Sequence, residues 1–416
     1  MTGKCFLIAF IVAFGAAVVI RLALAVLNIR RLRERGAEIP RGFEDAVDGA
    51  VLSRMRAYTV DSSRFGAIAA LLDNGFLLLI LLSGLLPWHC RLVESFNWPF
   101  IVSGLLFMAG PAAAGFLLNL PLDLYDTFVI ERRHGFSTIT AKLWITDLLK
   151  GLVISSVLIG GLLAILLALV RYAGPSWWLW AWLALAVFQL VLLWLAPVVI
   201  APLFNTFKPI DSKDVSERLT ALMEKAGLKS RGVYSMDAGK RSAKKNAYFT
   251  GLGRSKRIVL FDTLLSSQTA DEIAAILAHE IGHWKRKHLL KQLIIMEAIS
   301  LVLFYAASRL LDWDTLFTAF GFTEKPAYVG LFLLSVLAQP LFFLIRPAAS
   351  AMGRRFEAEA DDYVRRLEGT TIHLATALKK LARDNLANLH PHPLYAWYHS
   401  SHPPLVERVA RLEREF

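Results

Sequence analysis

The chain alternates between long apolar runs and shorter polar ones. Seven apolar runs lie near residues 5–28, 66–87, 99–121, 151–171, 177–203, 289–308 and 328–347. Each has about the twenty residues that an α-helix needs to cross a bilayer core. The pattern breaks over 205–288 and again after 348, where polar residues dominate. Within the first break, "GVYSMDA" (232–238), "NAYFTGL" (246–252) and "RIVLFD" (257–262) predict short strands. "GRSK" (253–256) predicts the hairpin turn between the last two. A helix should follow from Ala270, because Thr269 and Glu272 have capping-box spacing. The expected fold is mainly α: a polytopic membrane protein of seven spans with a soluble domain holding a small β-sheet. The divisions fall at 1–204 (spans one to five), 205–288 (strands and a helix), 289–347 (spans six and seven) and 348–416 (the remainder of the soluble domain). There is no internal repeat and no low-complexity tract.

Composition agrees with this pattern. Hydrophobic residues make up 56% and charged residues 19%, and the mean hydropathy is +0.48, well outside the soluble range. A net charge of +12 raises the question of nucleic acid. The basic residues, however, gather in alternate loops between the spans. Loop 29–65 carries eight arginines, and loop 122–150 carries Arg132, Arg133, Lys142 and Lys150; the intervening loops carry Arg91, Arg171, Arg309 and Lys325. The positive-inside rule then predicts an outside N-terminus, with 205–288 and the C-terminal tail in the cytoplasm. Lipid is the expected surrounding and nucleic acid is not an expected partner. The first run lacks a basic lead beyond Lys4 and a small-residue cleavage site, and Arg30, Arg31, Arg33 and Arg35 follow it. It reads as a retained span rather than a cleaved signal. Cys5 and Cys90 have no metal-site spacing. Arg21, Asp73, Asn74, Lys291 and Glu297 fall within or beside spans. Charges there are costly in lipid, which predicts a polar interior between the helices.

The chemistry centres on "LAHEIGHWKRKHLL" (277–290). His279 and His283 are four residues apart, so on a helix both rings leave one face. Two imidazoles at that spacing suit one Zn²⁺, and Glu280, about 100° round, can take a proton from a water that the metal acidifies. Gly282 leaves room beside the site. H-E-x-x-H specifies only three positions, so an ordinary helix can match it by chance. His288, nine residues after His279 and about 180° round the helix, should face away as a surface or interface histidine. The third ligand must come from elsewhere. "RRFEAEADDYVRRL" (354–367) offers Glu357 and Asp361 on one helical face, a carboxylate ligand and a second carboxylate to orient a histidine. Glu359 is the rival ligand, though its side chain should point off that face. The bland reading of this stretch is a solvated helix laced by ion pairs.

Five segments in order, "ERRHGFS" (131–137), "KKNAYFTGLGRSKRIVLFDTLL" (244–265), "LAHEIGHW" (277–284), "RRFEAEAD" (354–361) and "SSHPPLVER" (400–408), together with seven spans, resemble the type I CAAX prenyl proteases. These are integral-membrane zinc metalloproteases, also called a-factor-converting enzymes. The resemblance implies one zinc per chain, held by His279, His283 and Glu357, with Asp361 supporting. It implies that Glu280 activates the water. His402 and Arg408 would reach the active site and hydrogen-bond the substrate carbonyl or oxyanion. Asn246, Ala247, Tyr248 and Phe249 would form an edge strand that pairs with the substrate backbone. The implied fold is a ring of seven helices around a water-filled chamber, capped by the zinc site on the cytoplasmic side. Glu359 departs from the family, which often has an uncharged residue there. The expected activity is metalloendopeptidase action on C-terminal CAAX-type peptides, prenylated or not. The alternatives are a membrane-protein quality-control protease of the same clan and a non-catalytic chamber for lipidated peptides. A transporter would need an inverted repeat that the sequence lacks. The expected partners are a peptide or protein substrate and lipid, with a monomer sufficient.

Overall fold

The computed structural model describes residues 3–228, 233–250 and 257–414. Its first half is α1 (Gly3–Arg35), α2 (Gly49–Leu82), α3 (Leu85–Ser95), α4 (Phe100–Tyr125), α5 (Ala141–Tyr172) and α6 (Trp177–Leu195). The soluble insertion holds β1 (Phe207–Pro209), α7 (Lys213–Lys225), β2 (Val233–Met236), β3 (Ala247–Thr250), β4 (Arg257–Phe261) and α8 (Ala270–Lys285). The chain then returns through α9 (His288–Leu310), α10 (Ala327–Leu337) and α11 (Gln339–Glu368), and closes with α12 (Ile372–Asp384), α13 (Pro393–His399) and α14 (Leu405–Glu413).

Six helices are long and apolar enough to span a membrane, and the α10–α11 pair, bent by 44°, makes a seventh. The spans pack in series, α1 on α2, α2 on α4, α4 on α5, α5 on α6 and α6 on α9, and α11 packs on α1. No more than 22% of the most apolar stretch of any of the six single-helix spans is buried by protein. Several polar groups at this depth find partners: Asn119 donates to Asp73 at 2.9 Å, and Trp144 Nε1 donates to Asp123 at 3.0 Å.

Two features depart from the sequence expectation. Much of the loop expected over 29–65 is helix, because α1 runs to Arg35 and α2 starts at Gly49, capped by Asp48 accepting from Val51 N. Polar, basic residues extend a helix as readily as apolar ones where no glycine or proline interrupts. The helix that carries the seventh span also does not end near residue 347. Pro347 sits inside α11, which continues to Glu368 and carries the second acidic motif on the same helix.

The sheet has the order β1-β2-β4-β3, with β2 and β4 parallel and the outer pairs antiparallel. β1 is an addition that its three residues hid from the sequence pattern. The hairpin expected between β3 and β4 appears as antiparallel pairing, Ala247 with Leu260 and Tyr248 with Val259; its turn, 253–256, lies outside the described residues. α8 starts at Ala270 with both halves of its capping box formed. It is buried on nearly every side, from Ile273 to Gly282, as the central helix of a core must be. That core draws Phe43 from before α2, Leu52 and Met55 from its first two turns, Leu219 and Leu222 from α7, and Val364 and Leu412 from the C-terminal helices.

Candidate metal centre and active site

α8 brings His279 and His283 to one face, a turn apart, with their Nε2 atoms 3.1 Å from each other. α11 crosses this face. An ideal Cβ on Gly282 would stand 3.0 Å from Ala360 Cα and O, so the glycine permits the close approach of the two backbones. Glu357 then meets both rings: its Oε2 lies 3.3 Å from His279 Nε2 and its Oε1 3.3 Å from His283 Nε2. One atom from each of the three residues falls within 4.8 Å of the others, the one such group among the described residues.

The donor set fits a metal. Four-coordinate ligands with bonds of about 2.0–2.1 Å stand about 3.3 Å apart, close to the spacing seen. Asp361, 1% exposed, accepts from His279 Nδ1 at 2.9 Å. That proton on Nδ1 leaves the Nε2 lone pair bare and aimed at the other ligands. Glu357 Oε2 is buried and accepts no hydrogen bond among the described residues, although Arg408 Nη1 lies 3.0 Å away. A buried carboxylate oxygen without a hydrogen bond is costly, and a cation between the three ligands would remove that cost.

Glu280 follows His279 on α8 and makes no hydrogen bond to a described residue. Burial pushes its carboxyl above the ordinary range, and the positive field of the neighbouring imidazoles only partly offsets this. A raised carboxyl with a free lone pair suits a general base.

α14 supplies a buried cation. Arg408, 5% exposed, donates through Nε to Asp361 at 3.0 Å and through Nη2 to Asp361 at 2.7 Å. Burial alone would lower the guanidinium pKa, but the charges of Asp361 and Glu357 raise it. Arg411, one turn on, donates to Asp361 at 2.6 Å. His402 reaches the other side of Glu357, Nε2 to Oε1 at 3.1 Å, with its side chain 63% exposed. It arrives on the 400–402 segment, which packs against Gly353, where a Cβ would stand 2.8 Å from Ser401 O. Arg354 holds that segment by donating to Ser400 O at 2.7 Å.

β3 is an edge strand, paired with β4 alone, and it packs on α8. Ala247, Tyr248 and Phe249 thus lie along a backbone edge that no other described strand pairs, with Asn246 immediately before it. The "ERRHGFS" segment fixes this strand's approach. Glu131 takes Tyr58 Oη at 2.6 Å and Lys244 Nζ at 2.7 Å, and Ala243 N donates to Phe136 O at 2.9 Å. Arg241 clamps Asp147 of α5 through two bonds of 2.7 and 2.9 Å.

The structure brings together His279, Glu280, His283, Glu357, Asp361, His402 and Arg408. Glu359 points off their face, towards Arg355 at 3.1 Å and His288 at 3.2 Å. His288 is a correction to the sequence reading. It does not face away: its Nδ1 lies 3.0 Å from His283 Nδ1, and the residue is 2% exposed. The rotation argument assumed one helix, but α8 ends at Lys285, Lys287 adopts left-handed φ 56°, and α9 starts afresh at His288. Arg411 was also missed. Its spacing of three from Arg408 was the available signal.

Comparison with known proteins gives one family. A profile described as "CAAX prenyl protease N-terminal, five membrane helices" matches residues 28–206, and "Peptidase family M48" matches 209–416. The CAAX prenyl protease 1 homolog of Arabidopsis thaliana is 32% identical, covering 96% of both chains. CAAX prenyl protease 1 of Saccharomyces cerevisiae is 31% identical over 90% of this chain and 88% of its own. The crystal structure of S. mikatae Ste24p superposes with TM-score 0.92 at 29% identity, covering 99% of each chain.

Proposed function

The chain belongs to peptidase family M48 with the CAAX prenyl protease N-terminal region, and on the premise that it is a multi-pass membrane metalloprotease we propose that it is a zinc endopeptidase acting on C-terminal CAAX-type peptides. The observation that carries the site assignment is the convergence of His279, His283 and Glu357 with Glu280 beside them. His279, His283 and Glu357 would hold one Zn²⁺, which would supply Lewis acidity towards a water and a substrate carbonyl. Asp361 fixes the tautomer of His279. Glu280 takes the proton from the attacking water and passes it to the leaving amine. His402, exposed at the rim with Nε2 facing Glu357, donates to the carbonyl oxygen as charge develops there. Arg408 is committed to Asp361 and Glu357, so its part is to position these carboxylates. The open edge of β3 takes the substrate backbone as an added strand. Arginine-rich loops at 29–65 and 122–150 favour a cytoplasmic active site and an outside N-terminus.

The test is cleavage of a farnesylated CAAX peptide and its unprenylated twin by purified protein and by Glu280→Gln, with bound metal measured in the same samples. Wild type should cut, and the variant should keep its zinc while losing roughly 10²–10⁴-fold in rate. Preference for the farnesylated peptide would support the CAAX assignment. Zinc binding without cleavage of either peptide would overturn that substrate and favour turnover of membrane proteins. A protein that binds no zinc would overturn the site.

A further inference from the structure

We propose that His288 and Glu359 form a hydrogen-bonded relay behind His283 that fixes its tautomer and aims its Nε2 at the metal. The inference rests on the ligand reading above and extends it to the one ligand histidine for which that reading gives no support. His283 Nε2 faces His279 and Glu357. Its other nitrogen, Nδ1, lies 3.0 Å from His288 Nδ1, and His288 Nε2 lies 3.2 Å from Glu359 Oε2.

The proton assignment follows from the end of the chain. A carboxylate accepts and does not donate, so His288 Nε2 carries a proton towards Glu359. A neutral His288 then has a bare Nδ1, which accepts from His283 Nδ1–H. That leaves the His283 Nε2 lone pair free on the metal side. Arg355 at 3.1 Å and Lys291 at 3.6 Å from Glu359 keep its charge compensated at the partly exposed end. His288 itself is 2% exposed and stacks on Phe356 of α11, with ring centroids 4.1 Å apart and planes 7° apart. The stack sets the plane of the ring, and so the direction of both nitrogens.

The two ligand histidines are thus supported from opposite sides, His279 by Asp361 directly and His283 by Glu359 through an intervening imidazole. Such partners orient a ligand and raise its basicity, and losing one typically costs roughly 10–100-fold in metal affinity.

His288 packs as well as bonds, so the test separates the two. Full-length wild type, His288→Phe, His288→Asn and Glu359→Gln are stripped of metal and titrated with Zn²⁺ against a chromophoric chelator, and the melting of each metal-free protein is recorded. His288→Phe keeps the stack and removes both nitrogens, and it should lose roughly 10–100-fold in Zn²⁺ affinity with metal-free melting near wild type. His288→Asn, whose amide oxygen can stand where Nδ1 stood, should recover much of that affinity despite its poorer packing. Glu359→Gln keeps an acceptor without charge and should lose less than His288→Phe. Wild-type affinity in His288→Phe would overturn the relay, as would affinity that follows metal-free melting across the variants with no recovery in His288→Asn. His279→Ala in the same titration distinguishes a failed relay from a failed site: if it too binds Zn²⁺ like wild type, the ligand reading itself falls.

Discussion

Arg408 shows what one buried charge does here. It is 5% exposed and Asp361 is 1% exposed, so neither charge has water to fall back on. Removing one member of such a pair leaves the other uncompensated, which costs about 3–5 kcal/mol. Arg411 remains at Asp361 in that case, but its side chain is 36% exposed, and exposed partners contribute only about 0–1 kcal/mol. Arg408→Ala should therefore destabilise the protein by about 3–5 kcal/mol, and Arg411→Ala by no more than about 1 kcal/mol. Equilibrium denaturation in detergent would check the ratio. Arg408→Lys keeps the charge and loses the two-point grip on Asp361, so it should retain most of the stability but weaken Zn²⁺ binding, readable by chelator competition. Equal stability loss in both alanine variants would remove the special role of Arg408. Without the family resemblance, which placed it at the active site, Arg408 reads in the sequence as a solvated helix charge. Its burial depends on α14 packing against α12, with Arg408 turned to Asp361 of α11, which no local pattern encodes.

At the level of elements, two glycines set how closely the site's parts approach. Gly282 lets α8 meet α11, and Gly353 lets the 400–402 segment meet α11 four residues before Glu357. Added methyl groups in such contacts force shifts costing about 1–3 kcal/mol, but the two shifts act on different groups. Gly282→Ala should push Glu357 from the histidines and lower Zn²⁺ affinity. Gly353→Ala should move His402 and lower kcat with Zn²⁺ affinity near wild type. Metal titration beside peptide-cleavage kinetics separates them, and the same loss in both readouts for both variants would contradict the assignment. The capping box shows the reverse case, where sequence was enough. Thr269 and Glu272 satisfy donors within four residues of each other, so the start of α8 could be read directly. The end of α8 could not, because a left-handed residue at Lys287 is unusual for lysine and is imposed by the junction with α9.

At the scale of the whole molecule, the soluble core is built from segments on both sides of spans six and seven. A metal held by His279, His283 and Glu357, as proposed, would tie these segments together where α8 and α11 cross. Ligand binding to the folded state alone stabilises by about 4.1 kcal/mol at 1,000 times Kd, so stripping the metal should lower the melting temperature of the soluble core by an amount that tracks free Zn²⁺. The helical signal of the spans should persist. Melting followed by circular dichroism at graded Zn²⁺ would check this, and no dependence on Zn²⁺ would count against a structural tie. Orientation is testable with single cysteines in a cysteine-free background. A residue in the connection 36–48 should be labelled only from the cytoplasmic face, and one near Arg171 only from the outside.

The sequence by itself determined the spans, three of the four strands, the start of the central helix and the H-E-x-x-H geometry. These depend on hydrophobic period, capping and helical rotation, interactions that close within a few residues or against a bilayer of fixed thickness. Only the tertiary structure decided that the seventh span and the acidic motif share α11, that Arg408 is buried, and that His288 stands behind His283. Each of these comes from a helix crossing or a junction between elements, where residues distant in sequence, or separated by a break in the helix, are brought to within 3 Å by packing rather than by local pattern.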